Sequence, residues 1–307
     1  MPQSYGDPRM AGPRSPAARA ARVRVVALPT KAQVLNLWTA LVLMTALLLS
    51  ALPLRAADRD KVAAFASVTG YDVVIKSLQR SAAASAAMAG NDTARFAQQY
   101  AVLAREVFDP ELLHNRALDL LSQLLSDELL HAGADFYATE LGQRLVEVEN
   151  HAHETDYASR QAEGARLVAD LSRSNPARIE ALGAMNDTVG NDDLTIAGLV
   201  EMQTRFILAA QMAGSQKLDL SEPELRQQLQ QLAKSGLPEM RRSGVVSAAW
   251  TYRDISDSDL MDYLAALQTP EMTELYLVLN KVQFQVMVEF YEKLGARLGE
   301  IVPETDL

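Results

Sequence analysis

Beyond residue 58 the apolar positions recur at helical spacing. Leu260, Leu264 and Leu267 share one face, and Leu275, Leu279, Val282, Val286 and Phe290 follow at steps of four, three, four and four. No stretch of any length alternates apolar and polar residues between turn-forming flanks, as a half-buried strand would. Abundant Ala, Leu, Glu, Gln and Met add helical propensity. Helix starts are marked chemically. Asp109-Pro110, Asn175-Pro176 and Thr269-Pro270 each set a capping side chain before a proline in the first turn, and Ser221 to Glu224 has the spacing of a capping box. The pattern predicts an all-α chain with helices at 58–66, 71–89, 93–107, 110–124, 127–137 and 140–173, then 176–185, 193–213, 222–234, 238–252, 257–268 and 270–298.

Part of this pattern occurs twice. Leu125–Asn150 aligns without a gap onto Ile255–Asn280, with seven identities in 26 positions: Ser126/Ser256, Asp127/Asp257, Leu130/Leu260, Thr139/Thr269, Leu145/Leu275, Val148/Val278 and Asn150/Asn280. Downstream, Gly164-Ala165-Arg166-Leu167 recurs as Gly295-Ala296-Arg297-Leu298. A repeat of this kind defines the architecture. It predicts a helical bundle of two related hairpins, each a short helix, a threonine-capped corner and a long helix, stacked about a pseudo-twofold. The polar run Asn186–Asp193 is the expected joint. The chain accordingly divides into a signal segment at 1–56, a first helical unit at 57–190, a second at 191–300 and a tail at 301–307.

Phe108-Asp109-Pro110-Glu111-Leu112, Leu125-Ser126-Asp127-Glu128-Leu129 and Phe136-Tyr137-Ala138-Thr139-Glu140-Leu141-Gly142-Gln143-Arg144-Leu145 together resemble the exported bacterial family catalogued as domain of unknown function 2059. The family's hairpin corner typically reads small hydroxyl, Pro, any residue, Gly. Here the first corner keeps Gly142 but has Glu140 in place of proline, and the second keeps Pro270 but has Met272 in place of glycine. The resemblance implies export, a helical fold and an undefined function, and brings no catalytic residue with it.

Charge adds a destination. Residues 1–33 carry six basic residues against one acid, Asp7, and the apolar run Val34–Leu52 follows, closed by Pro53, Arg55 and Ala56-Ala57. These are the three parts of a secretory signal, with cleavage expected after Ala56 and the periplasm as compartment. The alternative is an uncleaved inner-membrane anchor at residues 34–54. Residues 1–56 hold seven basic residues and one acid, so their removal leaves 22 basic and 38 acidic, a net charge of −16 against −10 for the whole chain. So acidic a body is repelled by nucleic acid and by anionic lipid, and no membrane insertion is expected after cleavage. The absence of cysteine excludes disulfides, thiolate nucleophiles and Cys-based metal sites.

Candidate chemistry is sparse. No phosphate loop, dinucleotide fingerprint, nucleophile elbow or zinc-protease motif occurs, and no cofactor is implied. The weak metal candidates are Glu149, His151 and His153: Glu147 stacks on His151 and Glu149 on His153 at i, i+4, but the two imidazoles point apart on a helix. A solvated face of carboxylate–imidazolium pairs is the default. Tyr252, Tyr263, Tyr276, Phe284, Phe290 and Tyr291 gather in the second copy, where helical spacing assigns them to core packing and a ligand groove is the alternative. The sequence therefore points to a non-catalytic binding or scaffolding protein of the bacterial envelope, with another envelope protein or a second copy as partner. Two alternatives stand beside it. A metal-assisted hydrolase using His151 and His153 requires the helix to break at Asn150. A carrier of an apolar ligand requires a cavity between the repeats.

Overall fold

The computed structural model describes residues 58–86, 93–215 and 218–301. The signal segment, and all but the first residue of the expected tail, lie outside them. The described residues form twelve α-helices and no strand: α1 (Arg59–Val68), α2 (Tyr71–Ala83), α3 (Ala94–Val107), α4 (Pro110–Leu124), α5 (Asp127–Tyr137), α6 (Glu140–Glu154), α7 (Tyr157–Ser174), α8 (Pro176–Val189), α9 (Asp192–Met212), α10 (Glu222–Thr251), α11 (Asp257–Leu267) and α12 (Pro270–Arg297). A single 3₁₀ turn, Leu298–Glu300, follows. The chain is all-α, as its periodicity predicts.

The central element is α12, 28 residues long, or about 42 Å at 1.5 Å per residue. Leu275, Leu279, Val282, Val286 and Phe290 are all buried along it, and α9 packs against its length while α3, α4, α5 and α8 close around it. Phe108 and Phe206 meet Tyr291 edge-on, with ring centroids 4.9 and 6.0 Å apart. Such offset aromatic packing adds to the burial of large apolar surfaces.

The two copies build the same corner. Ser126 and Ser256 accept the backbone N–H of Leu129 and Asp259 at the starts of α5 and α11, at 3.2 and 3.1 Å. Thr139 and Thr269 accept those of Gly142 and Met272 at the starts of α6 and α12, at 3.0 and 3.4 Å. Each threonine also donates its hydroxyl backward, to Phe136 O and Ala266 O. One side chain thus satisfies an orphan group on each side of the turn. The recurring glycine is a crossing point. Gly164 lies against Val246 O where α7 meets α10, and Gly295 against Phe206 O where α12 meets α9, so close that a methyl group would overlap the carbonyl in either case.

Four expectations need correction. The helix expected over 140–173 is two, α6 and α7, because Thr155 turns extended and Asp156 caps a new start by accepting from Ser159 N at 2.9 Å. The helices expected at 222–234 and 238–252 are one, Glu222–Thr251: Pro238 lies inside it, removing a single ladder bond on a turn where Lys234 and Pro238 are exposed. The helix expected over 71–89 ends at Ala83. The polar joint at 186–193 shrinks to Gly190-Asn191. There α8 runs on to Val189, since Thr188 bonds back to Ala184 O and Asn280 Nδ2 caps Val189 O at 2.8 Å.

Substituting Gly295→Ala forces α9 away from α12 along the longest contact in the molecule. The expected loss is about 1–3 kcal/mol, the usual cost of overpacking, read as a lowered denaturant midpoint with an unchanged m-value.

Candidate functional site

Between the two hairpins lies a cavity of about 350 Å³. Its floor comes from the first copy, through Tyr137, Glu149 and His153, and its roof from the second, through Tyr252, Tyr263 and Tyr276. Phe65, Val74, Met185, Val189 and Leu279 make up much of the apolar wall.

Glu149 is the centre of the polar lining. Its Oε1 accepts hydrogen bonds from Tyr252 Oη at 2.7 Å and Tyr263 Oη at 3.0 Å. Tyr263 Oη lies 3.0 Å from Tyr137 Oη and 3.1 Å from Tyr276 Oη, and those two hydroxyls also bond each other. Each phenol has one proton to give. With the Tyr263 proton on Glu149, the protons of Tyr137 and Tyr276 serve two of the three contacts among these hydroxyls, so every donor is used and one contact carries no proton. Phe136 stacks on Tyr263 at 5.7 Å and holds that ring in place. Burial raises the Glu149 pKa above the ordinary carboxylate value, and the two tyrosine bonds partly oppose that rise. Burial also pushes all four phenols up, well beyond the titration range of a free tyrosine. No cationic side chain among the described residues pairs with Glu149.

Cations stand at the other end. One helical turn along α6 from Glu149, His153 faces the same cavity, and its backbone carbonyl accepts from Arg80. Its pKa is lowered to about 4, by burial first and then by the charges of Arg160 and Arg80. The ring is therefore neutral at pH 7. Arg160 lines the cavity from α7 without a carboxylate in ion-pair range, and its Nε is buried with no hydrogen-bond partner. Asp156 and Tyr157 are the groups that favour its charge, against the cost of burial and the repulsion of Arg80. Asn186 Nδ2, also on a cavity-lining residue, is a second buried donor without a partner. Buried polar groups are nearly always paired, so unpaired ones beside a cavity mark a place where something else supplies the partner.

A second cavity, about 580 Å³, lies beside the Gly190-Asn191 joint. Its Arg241 is already paired, with Asp192 at 2.7 Å and Asp187 at 3.7 Å. It shares Asn186, with its unpartnered Nδ2, with the first cavity, and no other residue lining it carries a buried unpartnered polar side-chain atom.

The three metal candidates do not meet. Because α6 is unbroken through Asn150, Glu149 and His153 turn into the cavity while His151 turns outward and stacks on Trp250 at 5.6 Å. Among the described residues no group of three or more His, Asp or Glu side chains is gathered to hold a metal ion. The solvated-face reading holds for Glu147 and His151, which are exposed, and fails for Glu149 and His153. The aromatic cluster of the second copy also divides. Phe290, Tyr291 and Tyr263 are buried in the core, while Tyr252 and Tyr263 also donate to Glu149 and Tyr276 meets the hydroxyls of Tyr263 and Tyr137. Arg160 had no distinguishing mark in the sequence, and Asn186 stood out only as the start of the polar run; the unpartnered Arg160 Nε and Asn186 Nδ2 single them out in the fold.

Residues 111–170 match the model of a family described as an uncharacterised protein conserved in bacteria (DUF2059). The matched span runs from α4 into α7, holds the first hairpin with Glu149, His153 and Arg160, and bears out the resemblance seen in the Thr139 corner. Neither a curated protein nor a solved structure matches the chain.

The neutral state of His153 sets an acid limit. Its folded pKa lies below the unfolded value of about 6.5, so its contribution is intact above pH 6.5 and is lost as pH falls toward 4. Glu149, with a raised pKa, has the opposite sign, so the term is isolated by difference. The wild type is expected to lose roughly 1–2 kcal/mol more than His153→Gln between pH 7 and pH 5, measured by urea unfolding at both values.

Proposed function

We propose that this is an exported, non-catalytic binding protein of the bacterial envelope and that it holds a small ligand in the cavity between its hairpins. The observation that carries the reading is the unmatched polar lining. Glu149 has no cation and Arg160 no carboxylate within ion-pair distance, and Asn186 Nδ2 has no acceptor, all on residues bordering one cavity. At about 350 Å³ the space falls at the lower end of the range of roughly 300–1,000 Å³ usual for ligand pockets. It also combines apolar walls with a few convergent polar groups, as such pockets do. The carrier reading gains from this, with one change: the ligand it serves is polar at its ends. Scaffolding of another envelope protein or of a second copy has no comparable feature on its side. The exposed large apolar residues, such as Leu112, Met212, Leu232 and Met261, are scattered over α4, α9, α10 and α11.

Export rests on the basic leader, the apolar run Val34–Leu52 and the Ala56-Ala57 exit. Among the described residues no helix is long and apolar enough to cross a membrane.

Two measurements test the reading. Amino-terminal sequencing of the protein recovered from periplasm is expected to begin at Ala57; recovery in the membrane fraction with the leader intact favours the anchor. Protein unfolded after native purification is expected to release a stoichiometric small molecule, and a small-molecule extract of the bacterial envelope to raise its Tm. Ala248→Leu, which fills the cavity from α10, is expected to abolish both effects while leaving the unliganded Tm within a few degrees. If wild type and variant respond alike, or neither responds, the cavity is not a binding site.

A further inference from the structure

The cavity is electrically divided. Glu149 lies at one end, under three tyrosine hydroxyls and bonded by Tyr252 and Tyr263 through Oε1 alone. It keeps partial accessibility and lines the cavity, yet nothing basic reaches it. Arg160 borders the same space with no carboxylate within ion-pair distance; its guanidinium lies 5.6 Å from the Tyr157 ring centroid, and Asp156 favours its charge from farther off. Glu149 and Arg160 do not neutralise each other: no ion pair joins them, and His153, one turn (about 5.4 Å) along α6 from Glu149, lies within the influence of Arg160. An anion alone leaves the carboxyl unmatched, and a cation alone leaves the guanidinium unmatched. A molecule carrying both charges answers both.

Resting on the cavity as a ligand site, we propose that its ligand is a small zwitterion with an apolar body, such as a free apolar amino acid or a short apolar peptide. Its ammonium is bound at Glu149 and its carboxylate at Arg160. The ammonium takes the oxygen of Glu149 that the tyrosines leave open. The carboxylate receives the guanidinium, with Asn186 Nδ2 as a further donor on the cavity lining. Met185, Val74, Val189 and Leu279 receive the apolar body. The unprotonated His153 adds no third charge to the lining.

The test is calorimetric titration of the purified protein with leucine, phenylalanine and leucyl-leucine, set beside 3-methylbutylamine, which lacks the carboxylate, and 4-methylpentanoate, which lacks the ammonium. The zwitterions are expected to bind, and each single-charge analogue to bind at least about tenfold more weakly, the worth of one charged hydrogen bond. Leucine against leucyl-leucine separates the free amino acid from the peptide as source. Glu149→Gln is expected to erase the advantage conferred by the ammonium and keep that of the carboxylate; Arg160→Gln is expected to do the reverse. This crossed pattern is something a merely destabilised variant does not produce. If an analogue binds as well as the zwitterion, or Glu149→Gln leaves the ligand preference unchanged, the zwitterion assignment falls while cavity binding stands. Failure of every compound in the series also overturns the assignment. The broader reading falls with it only if the envelope extract likewise gives no shift sensitive to Ala248→Leu.

Discussion

One buried carboxyl organises the middle of the molecule. Glu149 belongs to the first hairpin, but both hydroxyls that reach it, from Tyr252 and Tyr263, belong to the segment leading into and through the second. An acid in so dry a place is costly unless donors are aimed at it. Satisfying it requires α11 and the end of α10 to sit over α6 at one distance and in one register. Tyr137 and Tyr276 extend the constraint to α5 and α12. Four helices and the corner after α10 are therefore positioned by hydrogen bonds converging on one side chain.

That corner has its own fastening. Arg178, buried near the start of α8, pairs with Asp257 and donates to the carbonyls of Tyr252 and Ile255 at 2.6 and 2.8 Å. A planar guanidinium is suited to such a task, because its fixed fork of donors reaches several acceptors at once. Asp257 is itself in the first turn of α11, where a negative charge also favours the helix dipole. Fixing this turn fixes the approach of Tyr252 to Glu149. The cavity wall and the loop geometry are thus set by two networks that share the residues between Thr251 and Asp257.

What was legible in the sequence was local. Ser126, Thr139, Ser256 and Thr269 act within four residues of themselves, so a reading of neighbours found the helix starts and the repeated corner. The heptad-like run from Leu275 to Phe290 gave the buried face of α12 for the same reason. The Thr155-Asp156 break left a trace, an aspartate three residues before Ser159. Pro238 misled in the other direction, since it removes a single ladder bond on an exposed turn. The site was not legible because its defining property is distant. Glu149 and His153 are an ordinary i, i+4 pair until α10 and α11 cover them, and nothing near Arg160 in the sequence indicates that its guanidinium ends without an acid.

The two copies agree at their caps and crossings and disagree around the cavity. Opposite Glu149 in the aligned register stands Leu279; opposite Tyr263 stands Gly133; opposite Tyr276 stands Val146. Two identical hairpins on separate chains would place every residue twice, so an acid on one side would face an acid on the other. Covalent fusion lifts that restriction. It allows a charged residue, Glu149, and an apolar one, Leu279, to stand at equivalent positions around the same cavity.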